Sequence, residues 1–468
     1  MAREQVVETS CERASLLDAT SDQHRLSSEL APKRTWPWKR IVLLLAVMII
    51  RTVIAMSATV LTPFYPQVTY KWNKKEEASK FTGYLLGGVL MLNVVSGVFV
   101  GQWGIQQIGS KFWVVNGLFL SGGCAFLFSA LHYASTWDHF YGLSIAVGLV
   151  WGFGGGGTDV AAVAIGTTRF RKHIGLTVGA LEMGLALGIT IGPFLGGVLY
   201  QTGGFMLPLI VIGILTWSLA VVSFIFLPAN GKTNRRPSSR SRSESTLSME
   251  LAKETLVSVA SLFKNIWIVF TCLTVFFINS VRGLLAAALG AFLDQQYQLS
   301  PENIGFFFMV AAGTNALFAA PSGKLADKIG PRWCIHFGIL LVGGGCFIMV
   351  FGDSTGMEFG AMVVIGAGCG LALGTALAHI SKECLEPGVA RSEQLMGLLT
   401  GILAFFSAFG LVTGSVAGGL LSTEFGFRTA GLIWACCCSG WGVLYCLAHV
   451  FCSFRSSSRC YKDRIIDE

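Results

Sequence analysis

The sequence predicts an all-α membrane protein in which twelve transmembrane helices form two pseudo-symmetric six-helix bundles. Three observations lead there. Residues 188–205 return as residues 410–427, so that Gly188, Gly192, Gly196 and Gly197 recur 222 positions later as Gly410, Gly414, Gly418 and Gly419. Gly83 and Gly101 keep the same spacing with Gly305 and Gly323. Both copies lie in apolar runs too long and too uncharged for a soluble core. Only 13% of the chain is charged, about half the share of a soluble protein. Its 57 glycines suit helices that approach closely in lipid, where apolar burial gives no drive for helix association.

The elements follow in order. Twelve runs of spanning length cover residues 41–66, 82–104, 111–133, 140–166, 174–200, 206–228, 266–292, 303–322, 333–352, 359–381, 394–421 and 429–453. Each reaches or approaches the ~20 residues needed to cross about 30 Å of hydrocarbon. Lys33, Arg34, Lys39, Arg40, Lys111, Arg169, Arg171, Lys172, Arg235, Arg236, Lys324, Lys328, Arg332 and the basic residues of the C-terminal tail fall on one side. By the positive-inside bias that side is cytoplasmic, and both termini are expected there. The other side is poor in basic residues except in the first loop, where Glu76 and Glu77 partly balance the lysines. The formal charge of +8 is therefore membrane topology, and no nucleic-acid partner is expected.

The expected domains are a tail over 1–40, a six-helix bundle over 41–228, a linker over 229–265, a second bundle over 266–453 and a tail over 454–468. Residues 1–40 carry no cleavable signal peptide, since the first apolar run starts too late and is too long. Residues 232–245 are dense in Arg, Ser and Pro and read as a solvated tether. Residues 247–263 have helical apolar spacing with Lys and Glu interleaved, the pattern of a helix lying on the membrane surface. The 13 cysteines fall mostly in apolar runs and suggest no structural disulfide.

A chain of two similar halves of membrane helices is the usual construction of a secondary transporter, with its site between the halves. The stretch after the eighth span, Gly323-Lys-Leu-Ala-Asp327-Lys328-Ile-Gly330-Pro-Arg332, resembles the signature loop of the major facilitator superfamily. Gly323 and Gly330 permit a tight helix–loop–helix turn, and Asp327 is suited to cap a neighbouring helix N-terminus. Arg332 and Lys328 are suited to bind helix carbonyl ends or acidic groups. Together they read as a cytoplasmic latch. The first-half counterpart, residues 101–111, keeps the glycines but lacks the acid, so the charged latch is expected only in the second half. Gly188, Gly192, Pro193, Gly196 and Gly197 resemble the fifth-span motif of the superfamily's antiporters. Pro193 removes a backbone hydrogen bond and the glycines make a smooth face, which fits either a rocking helix or plain close packing. Residues 63–66, 179–201 and 299–305 resemble the vesicular amine transporter family, closest to its polyamine-transporting branch. That resemblance implies a proton antiporter loading organic cations into acidic vesicles.

An ionisable group at mid-bilayer costs a few kcal/mol by insertion scales and is a functional candidate. Arg51, Asp159, Glu182, Arg282 and His379 occupy spans one, four, five, seven and ten. The resemblance implies carboxylates in spans one, seven and ten and an Arg in span four, and this chain departs from that set. Two readings stay open. In one, Asp159 and Glu182 recognise a cation and couple the proton, with Arg51 or Arg282 as internal ion-pair partners. In the other, Arg51 and Arg282 bind an organic anion or zwitterion. His379 is a proton carrier in either scheme or an interfacial residue. Asn93, Asn279 and Asn315 are expected to bond between helices. Glu12, Leu16 and Leu17 fit an acidic dileucine pattern read by vesicle-sorting adaptors. The expected function is proton-coupled antiport of a small organic solute, an amine or polyamine, in a vesicular or endosomal membrane, with no cofactor beyond the coupling proton. Residue spacings for metal ligation, a nucleophile elbow or a phosphate loop are missing, which argues against an enzyme. A receptor or scaffold would need neither latch nor kink.

Overall fold

A computed structural model describes residues 37–61, 72, 74, 77–169, 174–227, 263, 265–384 and 393–466. Met1–Ala46 and Val47–Glu468 form two compact units; the described part of the first is the opening of α1. Twelve long helices account for the predicted spans: α1 (Pro37–Thr59), α2 (Ala78–Phe99), α3 (Ser110–Ala130), α4 (Trp137–Arg169), α5 (Ile174–Gly203) and α6 (Met206–Phe226). The second set is α7 (Ile266–Leu284), α8 (Pro301–Ile329), α9 (Pro331–Phe351), α10 (Thr355–Cys384), α11 (Glu393–Phe425) and α12 (Phe427–Ile466). Among the described residues eleven uninterrupted helices are long and apolar enough to span, and α8 makes the twelfth when its two limbs, bent by 48° at a break beside Pro321, count as one. Side chains such as Phe224, Phe226 and Leu447 stand outward on the lipid-facing surface.

Polar ends extend several helices beyond the apolar runs. The α7 helix continues through a π turn (Leu285–Leu289) into Gly290–Tyr297, and α12 runs on to Ile466. The largest correction concerns the signature stretch. Residues 323–329 are the last two turns of α8, and Gly330 alone makes the turn, at φ 93°. Leu325, Ala326 and Lys328 are good helix formers, so the polar segment prolongs the helix past the hydrocarbon. Pro301 and Pro331 open α8 and α9 at positions where a missing N–H costs nothing. The membrane-surface helix expected over 247–263, the tether and the dileucine residues Glu12, Leu16 and Leu17 lie outside the described residues.

Each half has its own core. Met56, Val60, Phe81, Phe128, Trp151 and Leu209 pack together in the first, and Val281, Ile304, Phe307, Ile339, Ile365 and Trp434 in the second. The repeat is carried by backbone contact. A Cβ on Gly188, Gly192 or Gly196 of α5 would strike Thr52 O, Thr59 Oγ1 or Val60 O of α1 and the turn that follows it. A Cβ on Gly410, Gly414 or Gly418 of α11 would strike Phe276 O, Ser280 O or the Leu284 Cα of α7. Between the halves, Gly197 meets Pro301 O and Gly305 meets Pro193 O; Gly419 meets Ser79 O and Gly83 meets Ser415 O. Both crossings, α5 on α8 and α11 on α2, lie at the end of the bundle where α2 and α8 begin.

These contacts leave no room for larger residues. Gly414→Val is expected to destabilise the protein by about 1–3 kcal/mol through overpacking, read as a lower unfolding temperature in micelles. Gly344→Ala, where no atom lies within 4 Å of the added Cβ, is expected to be neutral or mildly stabilising.

Candidate functional site

Arg51 of α1 and Asp159 of α4 come together inside the first half. Arg51 Nε donates to Asp159 Oδ1 at 2.7 Å and Nη2 to Oδ2 at 3.2 Å, the bidentate geometry that Arg forms with a carboxylate. The Arg51 side chain is 5% exposed and that of Asp159 30%. Arg51 therefore does not reach out to the membrane surface; its charge is balanced inside. The glycines before Asp159 make the approach possible: a Cβ on Gly156 would strike Asn93 O of α2, and one on Gly154 would sit 3.1 Å from Gly117 O of α3. Residues 154–157 are thus a close-packing surface. Glu182 lies in α5, and its side chain is outside the described residues.

Arg282 of α7 is treated differently. Its Nη1 donates to Asn279 Oδ1 at 2.9 Å, and among the described residues it forms no ion pair. Asn279 is fully buried and donates through Nδ2 to Val275 O at 2.9 Å. It therefore bonds within its own helix, not between helices as expected, and its amide is fixed with the oxygen toward the guanidinium.

The structure assigns His379 to another cluster. It is fully buried, and Arg332 Nε donates to its Nε2 at 3.3 Å. Its Nδ1 lies 2.8 Å from Thr271 Oγ1, which itself donates to Trp267 O. The ring must then donate from Nδ1 and accept at Nε2, the neutral form. Arg332 Nη2 also donates to Glu383 Oε1 at 2.6 Å, and its guanidinium lies 4.1 Å from the Trp267 ring centroid, within cation–π range. Arg332 thus binds an acidic group of an adjacent helix, as the motif suggests. Asp327 does not cap a helix: it is exposed, 3.7 Å from Lys382 Nζ. The helix that follows has Gly330 at its N-cap without a side-chain bond. Gly323 is helical with open space beside it, and Lys328 is exposed and in no ion pair among the described residues. In the first half the matching turn is Gly109, at φ 98°, and Lys111 rests over the Phe224 ring.

Two acids were missed. Glu383 sits one turn beyond His379 and past the apolar run that ends at 381. Glu358, fully buried at the start of α10, accepts from Tyr297 OH at 3.3 Å, while its Oε2 has no partner among the described residues. It falls just ahead of the tenth apolar run, where an acid reads as loop. The available signals were helical periodicity continued backward from Phe359 for Glu358 and forward by one turn from His379 for Glu383. For the Arg332–Glu383 pair, a double-mutant cycle with Arg332→Ala and Glu383→Gln, read by unfolding in micelles, is expected to give a coupling of roughly 1–3 kcal/mol. Asp327→Asn is expected to change stability by less than about 0.5 kcal/mol, as exposed pairs contribute little.

Known proteins support this architecture. The family model of the Major Facilitator Superfamily matches residues 43–384 and also residues 271–452. The human MFS-type transporter SLC18B1 is 25% identical over 391 residues, covering 81% of this chain and 79% of that protein. Its mouse counterpart is 23% identical over 384 residues, covering 80% and 79%. Among solved structures, a bacterial homologue of the human lysosomal transporter Spinster, inward-facing and unoccupied, superposes with a TM-score of 0.69 at 15% identity, over 88% of this chain and 98% of that one. The chain belongs to the major facilitator superfamily and is a multi-pass membrane protein built as a secondary transporter.

Proposed function

We propose that the protein exchanges protons for a small organic amine by alternating access. The observation that carries this reading is the Arg51–Asp159 pair: a carboxylate deep in the first half, neutralised on one side yet 30% exposed. A carboxylate offers about four lone-pair sites, and Arg51 uses one on each oxygen. The remaining sites can accept either a proton or an ammonium group, but binding one weakens the attraction for the other. That competition is the chemistry an antiporter needs, because a proton and a substrate that share a carboxylate cross in opposite directions. Glu182 supplies a second acid in α5 in this scheme. The resemblance to vesicular amine transporters points the same way.

The two bundles, 41–228 and 266–453, act as the rocking bodies, a role supported by their separate cores. They are closed where α5 crosses α8 and α11 crosses α2. With the basic loops and both termini toward the cytoplasm, this end faces the vesicle lumen, and the solute enters from the cytoplasm. The Arg332–Glu383–His379 cluster then braces the cytoplasmic end of the second bundle. Luminal acidity would protonate the shared carboxylate and release the amine there. A vesicular or endosomal membrane fits this cycle, and the residues Glu12, Leu16 and Leu17 would engage sorting adaptors.

The test is uptake into proteoliposomes acidified inside. Amine accumulation is expected to require the pH gradient and to collapse with an ionophore. Asp159→Asn is expected to abolish gradient-driven accumulation, with Glu182→Gln reducing it. Accumulation that persists in Asp159→Asn at wild-type rate would assign the coupling elsewhere.

A further inference from the structure

We propose that the transported amine also carries an anionic group and that Arg282, oriented by Asn279, is where that group docks, so that one amphoteric solute bridges Asp159 in the first half and Arg282 in the second. This rests on the amine-antiport reading and narrows its substrate class.

The argument starts from α7. Its spanning window is 67% buried, the highest share of any uninterrupted span, so it is an interior helix. Its other faces are taken. Phe276 and Ser280 meet glycines of α11, and Thr274 accepts from Trp441 Nε1 of α12 at 2.9 Å. At 100° per residue, Arg282 stacks with Val275 and Thr271, with Asn279 beside them; that column meets His379 of α10 only at Thr271, three turns away. Val281, Gly283 and Leu284 are all buried, while Arg282 is partly exposed. On an interior helix that exposure opens into the bundle.

An uncompensated guanidinium at this depth is costly. Arg51 meets the problem with a carboxylate from its own half. Among the described residues Arg282 has one neutral acceptor, and Asn279 is pinned by its bond to Val275 O. Four of the five guanidinium N–H groups are therefore left for a ligand, and their planar fork matches a carboxylate bidentately. The π turn begins three residues later at Leu285, and such bulges in α-helices frequently mark functional sites. A diamine would place a second cation against Arg282, whereas a solute with one amine and one carboxylate satisfies both halves. Such a solute also joins the two bundles through its own length, which ties occupancy to their relative motion.

The test uses three four-carbon probes with the full-length protein in internally acidified proteoliposomes: 4-aminobutyrate, putrescine and butyrate. The expected result is exchange of 4-aminobutyrate at least about tenfold faster than of putrescine or butyrate. Arg282→Gln should lower it about tenfold or more, the scale of a lost charge-assisted bond, with partial rescue in Arg282→Lys. Arg282→Glu should turn the preference toward putrescine. Unfolding temperatures identify any variant that fails to fold, and the wild-type ranking of the probes stands without variants. Putrescine moving as fast as 4-aminobutyrate in the wild type, or an unchanged ranking in folded Arg282→Gln, overturns the inference while leaving amine antiport intact. Exchange of butyrate alone, or of none of the three, overturns the amine reading with it.

Discussion

Backbone-to-backbone contact along α5 and α11 is the constraint on which the rest depends. In lipid, apolar side chains gain little by leaving one apolar environment for another, so helices associate through close packing. Glycines one turn apart supply it here. The α5 row, Gly188, Gly192 and Gly196, lies against α1, and the α11 row, Gly410, Gly414 and Gly418, lies against α7. The next glycine of each row turns outward to the other half, Gly197 toward α8 and Gly419 toward α2. The same two helices thus hold each bundle together and form the seam between bundles. A seam made mostly of backbone contact, with Val416 of α11 seated against Gly87 of α2, has few side chains to disengage as it opens, which suits a pair of bodies that must part and rejoin.

Charge is distributed on a different plan. Arg51 and Asp159 neutralise each other within the first half, and Arg332, Glu383 and His379 form a bonded set within the second. Neither set ties one half to the other, so the strong polar contacts stiffen bundles and leave the seam to weaker packing. Arg282 is the exception: its helix orients it through Asn279 but gives it no carboxylate. The glycine turn at Gly330 places Arg332 one residue into α9, beside the end of α10, and this explains why the signature stretch is needed even though most of it is helical.

Much of this was legible in the chain. Apolar runs located all twelve spans, though not the polar ends of α8 and α12, and the 222-residue offset paired Gly197 with Gly419, whose contacts with the other half come from the packing. What hydropathy could not register was helix made of polar residues, which is why residues 323–329 read as loop and α12 seemed to stop at 453. Arg51 and Asp159 stood out as charges in apolar runs, but their pairing spans 108 positions and depends on how closely Gly156 lets α4 approach α2. His379 stood out for the same reason and belonged elsewhere: its partners Arg332 and Glu383 lie outside the apolar runs. Glu358 was hidden by the same boundary. Sequence pattern registers which residues are costly to bury, whereas the choice of partner is made by helix packing.

The central claim is that two rigid bundles pivot about this seam. The most direct measurement is the distance between spin labels across the halves at both ends of the bundle, on a background lacking accessible cysteines. One pair would replace Tyr133 and Asp353, and the other Phe112 and Ile329, all exposed positions. On acidification and on addition of an exchanged amine, the account predicts opposite changes, one distance lengthening as the other shortens, with distances inside each half constant. Two unchanged single distances, or changes within a half as large as those between halves, would contradict it.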